Sequence, residues 1–152
     1  MAAKAASRSD AEAIAERSRE PMAFFPHDST ASQDLKCQRL MHRRGFDGYG
    51  RWWRLCELLA STEGHEIPVE TVEDICILAG ALGFGTGGAF DDRIAAEECR
   101  AFVDDLIDIG LVELEDGAIS SSRMMKNAAY FGRQKHNGSK GGRPRKNAAE
   151  KG

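Results

Sequence analysis

The most informative part of the sequence for the fold is the run Phe102-Val-Asp-Asp-Leu-Ile-Asp-Ile-Gly-Leu-Val-Glu-Leu-Glu-Asp-Gly-Ala-Ile-Ser120. Its first half continues an apolar stripe at helical spacing, and Gly110 is placed to stop that helix. The second half holds two short runs, 111–114 and 118–120, on either side of an Asp-Gly turn. Asp-Gly between such runs is the strongest short-range signal of a β-hairpin. The stretch therefore predicts a helix that leads into a hairpin.

Three further helix patterns precede this stretch. The first follows the candidate N-caps Thr30 and Ser32 and ends at Gly45. The second begins after Asp47, and the third follows Pro68, a residue that suits the first helical position. Four helices and a closing hairpin are the order of a winged helix. The predicted fold class is therefore mainly α, a winged helix whose hairpin is the wing, with a basic C-terminal extension.

The chain divides into three parts by composition. Residues 1–21 lack a wide apolar stripe, so we expect a flexible N-terminal tail. The winged-helix domain spans residues 22–121, and its start, Met22-Ala-Phe-Phe-Pro26, favours an edge strand or an aromatic clasp on the core. Residues 122–152 are expected to form a basic helix to about residue 135, followed by a disordered tail in which glycines and a proline make regular structure unfavourable.

Charge is distributed unevenly along the chain. Residues 1–120 hold 12 Lys and Arg against 23 Asp and Glu, a net charge of −11, whereas residues 121–152 hold 9 against a single Glu, a net charge of +8. A basic segment attached to an acidic body indicates a polyanionic partner for that segment.

The C-terminal segment is the predicted DNA-binding surface. It holds eight cations without an acid between them, and Tyr130 and Phe131 can stack or pack beside them. Gly142-Arg143-Pro144 is similar to the core of an AT-hook, which lies in a narrow minor groove. The predicted contacts to duplex DNA are Arg123, Lys126, Arg133, Lys135, Lys140, Arg143, Arg145 and Lys146.

The helix before the hairpin carries the opposite charge. Its acids outnumber Arg93 and Arg100 and would repel phosphates, so we predict that this helix does not read DNA. Those acids are Asp91, Asp92, Glu97, Glu98, Asp104, Asp105 and Asp108. A second candidate DNA-binding strip precedes it, although long cations also commonly decorate the outside of amphipathic helices. The strip consists of Lys36, Arg39, Arg43 and Arg44.

No motif predicts an enzyme, a catalytic residue, a cofactor or a metal site. The run Gly83-Phe-Gly-Thr-Gly-Gly88 follows a helix rather than a strand, so it lacks the context of a dinucleotide-binding loop. Cys37, Cys56, Cys76 and Cys99 show no zinc-ligand spacing and are expected to be small core residues in a reducing compartment. No apolar run approaches the length of about 18 residues that a membrane helix needs, so we expect no membrane contact and a cytoplasmic protein.

Four segments together resemble a known family. These are Phe24-Phe25-Pro26-His27-Asp28, Gly45-Phe-Asp-Gly-Tyr-Gly-Arg-Trp-Trp-Arg-Leu55, Phe102-Val-Asp-Asp-Leu-Ile-Asp-Ile-Gly-Leu111 and Asn137-Gly-Ser-Lys-Gly-Gly-Arg-Pro-Arg-Lys146. The chain resembles the N-terminal domain of phage and mobile-element replisome organisers, replication initiation proteins related to the winged-helix domain of the primosome protein DnaD. The resemblance implies a self-associating winged helix that acts at a replication origin and helps to load a helicase.

Two tryptophans provide a candidate self-association site. Trp52 and Trp53 are adjacent on one helix and point about 100° apart, so one of them should lie at the margin of the core. The resemblance favours a homo-oligomer through these residues. Two alternatives to the DNA-binding replication protein stay open: a protein interaction or oligomerisation module that binds other replication proteins, and a winged-helix transcriptional regulator.

Overall fold

The computed structural model describes residues 2–85 and 92–141 of the chain. Within these residues the fold is mainly helical, with a small antiparallel sheet, which confirms the predicted helical domain with a β-hairpin. No helix of this described part is both long and apolar enough to cross a membrane. The helices and strands in chain order are α1 (Ala2–Arg19), α2 (Leu35–Ser61), β1 (Ile67–Pro68), α3 (Val72–Ala81), α4 (Asp92–Ile109), β2 (Glu113–Glu115), β3 (Ala118–Ser120) and α5 (Ser122–Lys140).

The first two predicted helices are the two halves of α2. Gly45 separates them, because its φ of 66° and ψ of −164° interrupt the helix with a kink that other residues adopt only with strain. The helix begins after Asp34, whose carboxylate accepts a hydrogen bond from the Lys36 backbone N–H at 2.9 Å, and not after the predicted caps Thr30 or Ser32. The Gly45 boundary is confirmed and the predicted N-cap is wrong.

The transition from α4 to the hairpin follows the predicted order. Gly110 has a φ of 87°, and the Leu111 N–H donates to the Leu106 carbonyl at 2.9 Å, as in a Schellman motif. The turn residues Asp116 and Gly117 both have positive φ, as a two-residue hairpin loop of type I′ requires. β2 and β3 pair antiparallel through Glu113↔Ser120, Leu114↔Ile119 and Glu115↔Ala118.

A third strand is absent from the sequence prediction. β1 pairs antiparallel with β3 through Ile67↔Ile119 and Pro68↔Ala118, which gives the strand order β1-β3-β2. Pro68 therefore lies in an edge strand, where its missing N–H is tolerated, and does not begin a helix as predicted. The helix α3 begins after Thr71 instead, with a reciprocal capping box between Thr71 and Asp74.

The N-terminal segment forms a helix where the sequence predicts a tail. Residues 2–19 form α1, which packs along α5. The backbones approach closely at Gly132, where an added Cβ would lie 2.8 Å from the Ser18 backbone nitrogen. The buried His65 ring binds the Ser18 carbonyl oxygen through Nε2 at 2.9 Å. Small residues therefore permit a close helix pair that does not need a wide apolar stripe.

The core lies between α2, α4 and the sheet. Its fully buried large side chains include Phe102, Leu40, Leu55, Leu106 and Ile119. The four cysteines are free; Cys37, Cys56 and Cys99 are buried, while Cys76 is partly exposed. Burial raises the pKa of the Cys56 thiol to about 12 and that of Cys99 to about 11, so both are protonated apolar groups at neutral pH.

Candidate nucleic-acid interface

The helix α5 carries the predicted basic segment. The Ser121 hydroxyl caps it by accepting a hydrogen bond from the Met124 N–H at 3.3 Å. Its buried residues, Met124, Ala128, Gly132 and His136, recur at intervals of four and form one face. No Asp or Glu occurs between Gly117 and Ala149, so the remaining surface of this helix is free of its own negative charge.

One exposed stripe on α5 gathers most of the predicted DNA-binding residues that the structure describes. Side chains three and four positions apart lie on the same side of a helix, and those on this side are all exposed. The stripe is about 25 Å long at 1.5 Å of rise per residue. We call this surface the α5 stripe; it consists of Arg123, Lys126, Tyr130, Arg133, Asn137 and Lys140.

Three of the predicted cations pair with acids of the N-terminal region. Arg123 pairs with Asp28, Lys135 with Glu20 at 3.0 Å, and Lys140 with Asp10 at 2.5 Å. The hydrogen bond from Lys140 is the largest of the effects that hold the pKa of the Asp10 carboxyl below its ordinary value.

Two cations of the α5 stripe have no such partner. Lys126 and Arg133 make no ion pair with any residue in 2–85 or 92–141, and both are exposed. The predicted contacts Arg143, Arg145 and Lys146 lie outside the described residues.

Most cations of the second predicted strip make ion pairs or hydrogen bonds within the chain. Arg43 donates to Asp105 at 3.0 Å and to Asp108 at 2.7 Å, and Arg44 donates to Asp105 at 2.6 Å. Lys36 donates to the Gly110 carbonyl oxygen at 2.9 Å. The structure therefore brings three of these four cations onto α4 and the turn that follows it.

The titration of these groups reflects the pairing. Desolvation alone would raise the pKa of Asp105, but the hydrogen bonds from Arg44 and Arg43 outweigh it and lower that pKa. The hydrogen bonds to Asp108 and Asp105 in turn raise the pKa of Arg43. Arg39 is the member of the strip that is exposed and makes neither an ion pair nor a side-chain hydrogen bond within the described chain.

The two tryptophans occupy different environments. Trp52 is 6% exposed and belongs to the core, whereas Trp53 is partly exposed at its margin, as predicted. His27 stacks on the Trp53 ring at a centroid distance of 3.5 Å, and Phe25 lies parallel to it at 6.3 Å. The segment that the sequence predicts as a strand or a clasp is therefore a clasp, and it covers much of Trp53.

The sequence does not predict an aromatic contact that reaches α5. Phe24 meets Phe131 edge to face at 5.1 Å between ring centroids, and Phe131 in turn meets Tyr130 at 5.4 Å. More than one hundred residues separate Phe24 from its partner, and no local pattern signals such a pairing. Phe24, Phe131 and Tyr130 form a group that we call the aromatic cluster.

No metal centre is apparent in the part of the chain that the structure describes, which contains no group of three His, Cys, Asp or Glu side chains able to hold an ion. The glycine-rich run begins in the turn after α3, at Gly83 to Gly85, and continues outside the described residues. It follows a helix, as the sequence predicts. A cavity of about 170 Å³ lies under the aromatic clasp and is lined in part by Trp52, Cys37 and Cys56.

Comparison with known proteins links the chain to one family. The family model described as Lin1244/Lin1753-like, N-terminal matches residues 24–124. No curated protein and no solved structure matches the chain. The matched range begins at Phe24 and ends in the first turn of α5, so α1 and most of the α5 stripe lie outside it.

Proposed function

The chain belongs to the Lin1244/Lin1753-like, N-terminal family, and on that premise we propose that it is a non-enzymatic, DNA-binding protein of phage or mobile-element replication initiation. The family description names no ligand. The charged surfaces of this chain support the binding of DNA, and the resemblance to replisome organisers supports the role in replication. In this proposal the fold is a winged helix, the protein acts in the cytoplasm, and it binds duplex DNA as a homo-oligomer with other replication proteins.

The α5 stripe is the observation that carries the proposal. It presents four cations on one side of an acid-free helix, and its opposite face is fixed to the rest of the chain. Each cation that neutralises a phosphate releases condensed counterions, which favours binding irrespective of base sequence. Lys126 and Arg133 can neutralise phosphates at the smallest cost in free energy, because neither has to break an ion pair with a described residue first.

The helix α4 is unsuited to the same task. It precedes the hairpin, which is the position of the recognition helix in many winged helices. Its exposed acids include Glu97, Glu98 and Asp104, and these would repel phosphates. The proposal therefore assigns DNA contact to α5 and the basic residues that follow it, including Arg143, Arg145 and Lys146.

Salt dependence tests this assignment. If about four of these cations contact phosphates at once, log affinity for a duplex of about 20 base pairs should fall with log salt at a slope of roughly −3.6. In Lys126→Gln with Arg133→Gln the slope should fall in magnitude by about 1.8, because two contacts are lost. Fluorescence anisotropy titrations at about 50 and about 200 mM salt measure both quantities.

A matched control removes equal charge elsewhere. Arg54→Gln with Arg100→Gln takes two exposed cations from α2 and α4 and should leave the slope unchanged. An equal loss in both variants would contradict a specific role for α5. A chain ending at residue 141 separates the contribution of Arg143, Arg145 and Lys146 from that of the helix.

A groove between α3 and α4 favours a second candidate, a module that binds another replication protein. The groove measures about 390 Å³ and is lined by apolar Val72, Cys76 and Ala96, with Asp92 and Glu97 also in its lining. Val72 is 73% exposed, although it occupies a helix facing this groove. For such a module, Val72→Ser would weaken the binding of the partner protein. The intact chain would then show no salt-dependent affinity for DNA.

A further inference from the structure

The aromatic cluster lies at the edge of the α5 stripe. Phe24 and Tyr130 both contact the ring of Phe131 edge to face, with interplanar angles of 75° and 74°. Phe131 is partly buried, whereas Phe24 is 68% exposed and Tyr130 is 52% exposed. The outer two rings are thus held by a third ring and still present much of their surface to solvent.

Cations flank the cluster along the helix. Lys126 precedes Tyr130 by four residues and Arg133 follows it by three, so both side chains are helix neighbours of the ring. Three acids of the N-terminal region reach α5, and all are paired: Asp28 with Arg123, Glu20 with Lys135, and Asp10 with Lys140. The rings therefore lie in a positively charged setting.

Exposed rings beside cations suit a polyanion whose monomers have flat faces. Bases inside a duplex are stacked on each other and their faces are covered, but unpaired bases can stack on an aromatic side chain. Phosphates on either side of such a base would meet Lys126 and Arg133. The described part of this surface has no apolar pocket for a protein partner. It also lacks the negative charge that α4 would present to a basic partner.

We propose that Phe24 and Tyr130 form a stacking platform for unpaired bases of DNA. The protein then binds a duplex with a single-stranded extension more tightly than a fully paired duplex. This inference rests on the proposed function, since the α5 stripe holds the phosphates while the platform adds contacts to bases.

Three probes separate bases from phosphates. They are a blunt duplex of about 20 base pairs, the same duplex with an overhang of about six thymidines, and the same duplex with an abasic overhang of equal length. The thymidine overhang should bind at least tenfold more tightly than the abasic one, because both carry the same phosphates and only one has bases to stack.

Substitution of the platform should remove that difference. Phe24→Ala with Tyr130→Ala should bring the affinity for the thymidine overhang down to that for the abasic one. Tyr130→Phe should keep the preference. Phe46→Ala is the matched control, since Phe46 is 83% exposed on α2 and is not part of the cluster.

The outcomes distinguish this inference from the proposed function. Equal affinity of the intact protein for the thymidine and abasic overhangs would overturn the platform, and this comparison needs no variant that must fold. If the blunt duplex still binds with the expected salt slope, the proposed function stands without the platform. If the intact protein binds none of the three probes, both are overturned.

Discussion

The helices α4 and α5 are nearly equal in length and opposite in charge. They differ in which segments of the fold provide ion-pair partners for their charged side chains. Asp105 and Asp108 of α4 meet Arg43 and Arg44 of α2, so part of the acidic surface is neutralised within the fold. On α5, three cations pair with acids of the N-terminal region, whereas Lys126 and Arg133 meet no acid of the described chain. Charge content alone therefore does not mark an interface; what matters is whether the fold itself provides the counter-charge.

Packing explains why the two helices differ. α4 buries a wide face that includes Ala95, Cys99, Phe102 and Leu106, and α2 runs close enough for its arginines to reach α4. α5 buries a narrower face, formed by Met124, Ala128, Gly132 and His136, and packs against α1 and α2. On its opposite side Arg123 and Lys140 pair with Asp28 and Asp10, whereas Lys126 and Arg133 stay available to a partner.

Charge reversal on α4 and on α5 should have the largest and most unequal effects on DNA affinity. Lys126→Glu with Arg133→Glu should lower affinity for duplex DNA by more than 100-fold, because two contacts are lost and two repulsions replace them. Glu98→Lys with Asp104→Lys on α4 changes net charge by the same amount in the opposite sense. It should change affinity less than threefold at about 0.15 M salt, where charges more than about 8 Å away are largely screened.

Anisotropy titrations of both variants against one duplex provide the measurement. Circular dichroism of each variant checks that the helices are retained. A gain on α4 as large as the loss on α5 would mean that net charge, rather than the position of the α5 stripe, governs binding.

The inner face of α5 gives a prediction of intermediate size. Gly132→Ala should destabilise the fold by about 2 kcal/mol, because the new Cβ overlaps Ser18 and must push α1 away. Thermal unfolding should show a decrease in Tm of several degrees for a chain of this size. DNA affinity of the folded variant should be unchanged, since the α5 stripe lies on the other side of the helix.

Gly138→Ala is the matched control on the same helix. A Cβ at Gly138 meets nothing within 4 Å, so the substitution should raise stability by up to about 1 kcal/mol through helix propensity. If Gly132→Ala were equally stabilising, α1 would not pack on α5 as closely as described.

Local signals were sufficient to predict much of this fold. Gly110 and Asp116-Gly117 need positive φ, so the end of α4 and the hairpin could be located from residue type alone. The strand β1 could not, because two residues that include a proline carry no periodicity. The sequence predicts a tail in place of α1, because the contacts of this helix involve Gly132 and His65, which are distant in sequence.

Some features of the candidate site can likewise be predicted from the sequence, and others cannot. The basic composition of residues 122–140 is visible in the sequence, and so is the margin position of one tryptophan. The pairing of Arg43 and Arg44 with α4, and the meeting of Phe24 with Phe131, depend on tertiary packing across more than 60 residues. The DNA contact itself stays a prediction.

Removal of the α2–α4 ion pairs should have the smallest effect of these substitutions, and that effect on the free energy of unfolding should depend on pH. Asp105→Asn should cost about 1 kcal/mol at pH 7, as expected for a partly exposed carboxylate that pairs with two arginines. The folded-state pKa of Asp105 lies below its ordinary value of 3.8, so its contribution is present above that pH and is lost as pH falls through the folded pKa. The free energies of unfolding in urea of the unsubstituted chain and of Asp105→Asn should therefore differ at pH 7 and converge near pH 2.

Asp104→Asn is the control, because Asp104 is exposed and makes no ion pair within the described residues. Its free energy of unfolding should match that of the unsubstituted chain at pH 7. A gap for Asp105→Asn that persisted at pH 2 would show that the carboxylate charge is not what joins α4 to α2.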